Sequence, residues 1–116
     1  MDALPPINLI KLRDIIGDDP ETEQLLLSTF IKSTEESLTL LSNQFPASEQ
    51  PKYRQLWKGH MHQIKGSALN IGAEYLASLT SEMQDAYDSP LPEMKKMLGE
   101  INAELARIKK FIETQN

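Results

Sequence analysis

The stretch Tyr53-Arg54-Gln55-Leu56-Trp57-Lys58-Gly59-His60-Met61-His62-Gln63-Ile64-Lys65-Gly66-Ser67-Ala68-Leu69-Asn70-Ile71-Gly72 reads as one amphipathic helix with a histidine on its solvent side. At about 100° per residue, Tyr53, Trp57, His60, Ile64, Ala68 and Ile71 fall in a single sector, which is the expected core face. His62 projects roughly 160° from the centre of that sector. Its surface neighbours, three and four positions away, are Lys58, Gly59, Lys65 and Gly66. A glycine inside a helix costs about 1 kcal/mol relative to alanine. Two of them beside one exposed imidazole leave the ring bare on both sides, so that another protein can approach closely. The two lysines put positive charge next to the ring, where an anionic group held on it would be stabilised. An unperturbed imidazole titrates near pH ~6.5, so much of it is a neutral nucleophile at cellular pH. These features suit acceptance of a phosphoryl group, and the geometry alone suits other anion-handling roles as well.

The rest of the ridge is less specific. Leu69 lies on the exposed face beyond Gly66 and is a candidate docking contact. Ser67 projects to the edge of the core face, as an interhelical contact or an assisting hydroxyl. Lys58 reads equally well as a solvated surface charge. His60 projects onto the core stripe and is expected to be partly buried and satisfied by a hydrogen bond. His60 and His62 are two positions apart and point in different directions, so they do not form a metal pair.

Working outward, apolar residues recur at helical spacing nearly everywhere, and no segment alternates as a half-buried strand would. A short helix is expected over about residues 8–16, with Leu9, Leu12, Ile15 and Ile16 as its apolar side and Gly17 as its stop. Asp18 or Asp19 caps a second helix over about 19–45, with Pro20 in its first turn. Leu27, Phe30, Ile31, Thr34, Leu38 and Leu41 share one face of it, and Phe45-Pro46 ends it. The quoted helix spans about 51–71. A fourth follows over 73–88, with Leu76, Leu79 and Met83 inward, and Ser89-Pro90-Leu91-Pro92 breaks the chain again. The last, over 92–113, carries Met94, Met97, Leu98, Ile101, Leu105, Ile108 and Phe111. Short connections make neighbours antiparallel. The expected fold is therefore all-α: an up-down-up-down antiparallel four-helix bundle with a short additional N-terminal helix covering one end, in a single domain over residues 1–116.

Size and charge exclude several functions. One domain of this length has no room for a nucleotide-binding catalytic domain. The 17 acidic and 12 basic residues give a formal charge of −5, which disfavours nucleic acid and anionic lipid as partners. There are no cysteines, hence no disulfides and no thiolate metal site. No apolar run reaches the length of a membrane span. The opening Met1-Asp2-Ala3-Leu4-Pro5-Pro6 lacks the basic flank and apolar stretch of a signal peptide, which suggests a cytoplasmic protein.

The run His62-Gln63-Ile64-Lys65-Gly66-Ser67-Ala68-Leu69-Asn70-Ile71-Gly72-Ala73 resembles the signature of the histidine-containing phosphotransfer family: histidine, two residues, Lys-Gly-Ser, a small residue, then Gly-Ala a few positions on. The opening, with Ile7, Leu9, Leu12, Gly17-Asp18-Asp19-Pro20, Leu26-Leu27 and Phe30, is similar to that family too, as are Leu76, Leu79 and Met83. The likeness covers roughly residues 5–87. It implies that His62 is the phosphoacceptor, taking a phosphoryl group from the receiver domain of a hybrid sensor histidine kinase and passing it to the receiver domain of a response regulator. It further implies that Lys65 steadies phosphoryl oxygens, that Gly59 and Gly66 give steric clearance, and that Lys58, Ser67 and Leu69 assist or dock. The receiver would bring the Mg²⁺, so no metal or cofactor of the chain's own is expected, and family members are usually monomers. The resemblance departs just before the acceptor, where that family often has small residues and this chain has His60 and Met61.

Two rival functions are weaker. The dimerisation region of a sensor histidine kinase usually has an acidic residue after its histidine and a proline several positions on, whereas Gln63 follows His62 and the next proline is Pro90. A bundle that binds a receiver without transferring usually lacks the histidine or its lysine, and this chain keeps both.

Overall fold

Local sequence signals set the helix ends. The computed structural model describes residues 4–115, and Met1–Ala3 of the opening lie outside them. Asn8 starts α1 (Leu9–Ile16) by accepting the Lys11 N–H on its side chain, and Gly17 stops it at φ 77°. Asp19 caps α2 (Pro20–Asn43): its carboxylate takes the Glu21 N–H at 3.1 Å and the Thr22 hydroxyl at 2.7 Å. Pro20 and Pro51 occupy first turns, where a missing N–H breaks no bond. α3 runs Pro51–Asn70, α4 Glu74–Asp85 and α5 Leu91–Thr114. The described residues contain no strand.

Cross-helix hydrogen bonds give the directions. Tyr53 Oη donates to Leu41 O at 2.7 Å, while His60, further along α3, meets Ser37, earlier in α2. The two helices therefore run antiparallel. Trp57 Nε1 donates to Met83 O at 2.8 Å and Arg54 Nη1 to Tyr87 O at 2.9 Å, so α4 also runs against α3. α5 packs on both α4 and α2 and closes the bundle. Its core is lined by Leu27, Phe30, Leu38, Trp57, Met61, Ile64, Leu76, Met83, Met94, Ile101 and Ile108, all buried.

α1 covers the end of the bundle where α3 turns into α4. The Asn8 N–H donates to Gly72 O at 2.8 Å, and Asn8 Nδ2 donates to Glu74 Oε1 at 3.0 Å. Gly72 has φ 78°, and a Cβ there would lie 2.8 Å from the Asn8 carbonyl oxygen. Backbone conformation and close approach both require glycine at this position.

Two expectations about packing are corrected. Ile15 is 62% exposed and only Leu12 of α1 is fully buried, because so short a helix meets the bundle along one narrow line. On α3, Met61 and Arg54, which the projection left off the core face, are buried, while His60 is partly buried as expected. α3 packs more extensively on α4 than on α2, which turns its buried sector toward Met61.

Candidate functional site

The middle of α3 presents the ridge expected from its sequence. His62 is exposed, and Gly59, Gly66 and Lys58 are exposed around it. Beyond its chain neighbours and its own helix backbone, a Cβ at Gly59 or Gly66 would meet no atom within 4 Å, so the space beside the imidazole is open toward both glycines. Leu69 is 45% exposed further along, and Lys65 and Ser67 are half-buried. With the buried sector centred nearer Met61, His62 lies roughly 130° from the core axis of the helix, still outward. The imidazole thus stands on a fully formed helix whose opposite face is locked by Trp57, Met61 and Ile64. Its backbone has little freedom to move away from an incoming group.

His60 points elsewhere. Its Nδ1 and Ser37 Oγ, 2.9 Å apart, share a hydrogen bond across the α2–α3 contact. That engages the ring in packing, as expected for a partly buried histidine. Among the described residues, no three His, Cys, Asp or Glu side chains come together as a metal site would need.

The two lysines differ. The Lys65 ammonium meets no carboxylate among the described residues, and the same is true of Lys58. Lys58, however, lies over the ring of Tyr87, with Nζ 4.7 Å from the ring centroid. Tyr87 sits in the turn after α4. Its carbonyl is held by Arg54, which also donates to Ser89 O at 2.7 Å and pairs with both carboxylate oxygens of Glu49. Sequence reasoning missed both Tyr87 and Arg54. Nothing local marks Tyr87 as a partner of α3, and an arginine reads by default as surface.

Residues 25–111 match the family model described as the Hpt domain. The chain belongs to the Hpt domain family. Membership implies phosphotransfer in a two-component phosphorelay and contact with receiver domains, in the role of a phosphocarrier and not of a kinase. The matched span begins within α2 and ends within α5, so the whole of α3 lies inside it and α1 lies outside. No curated protein and no solved structure matches the chain. No helix among the described residues of this Hpt domain is long and apolar enough to cross a membrane.

Proposed function

We propose that the chain carries a phosphoryl group on His62, accepting it from a receiver-domain phospho-aspartate of a hybrid sensor kinase and passing it to the receiver aspartate of a response regulator. The observation that carries this reading is the exposed His62 at the middle of α3, with open space over Gly59 and Gly66 on either side. In the transfer, the unprotonated ring nitrogen attacks phosphorus in line with the acyl-phosphate P–O bond. The N–P bond forms as the P–O bond breaks, the carboxylate leaves with the bonding pair, and the other ring nitrogen keeps its proton. Lys65, and Lys58 once free, would offset the charge of the phosphoryl oxygens, and positioning with charge neutralisation supplies most of the rate. Leu69 would contact the receiver, and Ser67 would assist at the edge. The chain brings no cofactor of its own, since Mg²⁺ would come with the receiver. The same reading has it acting as a monomer in the cytoplasm.

The test is transfer from a labelled receiver-aspartyl phosphate to the native chain, His62→Gln and His60→Gln. Label is expected on the native chain and on His60→Gln, and not on His62→Gln; ATP alone should label none of them. Label retained by His62→Gln would overturn the site, and label taken directly from ATP would overturn the carrier role.

A further inference from the structure

Lys58 precedes His62 by one helical turn, so the two side chains share the exposed ridge of α3. The Lys58 ammonium is 4.7 Å from the centroid of the Tyr87 ring, within the range of a cation–π contact. The ring is not an incidental neighbour. Tyr87 is half-buried, and its backbone is fixed by the buried Arg54, which ties it to Ser89 O and to Glu49. A rigid aromatic face is thus built beside the flexible stem of a lysine one turn from the imidazole.

We infer that Tyr87 is a positioning residue for the phosphoryl-carrying site: its ring holds the Lys58 ammonium while His62 is empty and yields it to the phosphoryl oxygens when His62 is loaded. The inference rests on the carrier reading of His62. Loading forms the N–P bond as the P–O bond to the receiver carboxylate breaks, and leaves a group bearing nearly two negative charges within reach of the Lys58 stem. A charge-assisted contact with that group outcompetes the quadrupole of a half-buried ring. Because the ring occupies Lys58 only in the empty form, it favours that form over the loaded one. An exposed cation–π contact corresponds to a factor of about two to five in such an equilibrium. The consequence suits a carrier, which must give up its phosphoryl group as readily as it takes it.

The experiment measures the exchange equilibrium between a phosphorylated receiver and the full chain. Tyr87→Leu should shift it toward loaded His62 by about two- to fivefold, and Lys58→Gln toward the empty form. Tyr87→Leu added to Lys58→Gln should change nothing further. Tyr87→Phe keeps the ring face and should stay at the native value. In parallel, loading the native chain with phosphoramidate should move the Tyr87 ring proton resonances, and that movement should vanish in Lys58→Gln. If Tyr87→Leu has no effect, or the same effect with and without Lys58, the ring acts only on the fold and the inference is wrong. If the native chain takes phosphate from neither several receivers nor phosphoramidate, the carrier reading itself fails and takes the inference with it.

Discussion

On the proposed reading, Gly59 and Gly66 set stability against access at one place on α3. Neither contributes a side chain to packing, and each replaces an alanine that would hold the helix better. Since a Cβ at either site would meet, beyond its chain neighbours and own helix backbone, no atom within 4 Å, Gly59→Ala and Gly66→Ala are each expected to stabilise the chain by about 0.5–1 kcal/mol. On the proposed carrier reading, the same substitutions should slow transfer from a receiver, because the added methyl would stand where the partner closes on His62. Thermal denaturation and transfer kinetics on the same samples check both halves. A variant that gains stability and keeps its transfer rate removes the steric role of that glycine. At this scale the sequence was informative where spacing alone decides orientation: the exposure of His62 and its Lys-Gly surround follow from 3.6 residues per turn. It was silent where a second helix decides. Whether His60 or Met61 lies deeper depends on how tightly α4 packs relative to α2, and the Lys58–Tyr87 contact depends on where the turn after α4 lands.

Helix ends were legible because capping chemistry is local. Gly17, Asp19, Pro20 and Pro51 each act within a few residues of their own position, and each bounds a helix in the structure. The apolar face of α1 was legible except at Ile15, since an apolar residue on a short terminal helix is buried only if a neighbour reaches it: Leu12 is buried and Leu9 and Ile16 pack on the core, but Ile15 is not reached. Gly72 shows the same limit from the other side. It reads as a helix stop, but the closeness of the Asn8 carbonyl is a tertiary fact. Gly72→Ala should therefore behave opposite to the two glycines of the ridge. A left-handed backbone costs a residue with a Cβ about 1–2 kcal/mol, and the contact with a backbone oxygen adds to that. A loss of about 2 kcal/mol or more in chemical denaturation is expected, with α1 amides losing hydrogen-exchange protection before the rest of the bundle. Unchanged protection in α1 would mean that the Asn8–Gly72 bond does not hold the helix in place.

Stability of the whole bundle has an alkaline limit that one residue should set. Tyr53 is buried where the start of α3 meets the end of α2, edge-on to Phe45 and hydrogen-bonded to Leu41 O. Burial pushes its phenol from the ordinary value of 10 up to about 12. The raised value means that the unfolded chain loses this proton first. The contribution of Tyr53 to stability is therefore complete below pH ~10 and is lost as pH rises toward the folded value, by about 2–3 kcal/mol in all. Tyr53→Phe removes that dependence. It also leaves the Leu41 carbonyl without its partner, at a cost of about 1–2 kcal/mol that does not vary with pH. Unfolding free energies of the two chains, measured by denaturant titration across the alkaline range, should then cross: the native chain is the more stable below pH ~10, and the Phe variant equals or exceeds it as pH approaches the folded value. Every other ionisable group is common to the two chains, so it cancels in the difference. Parallel curves would mean that the Tyr53 hydroxyl reaches solvent readily and that this end of the bundle is looser than its packing indicates.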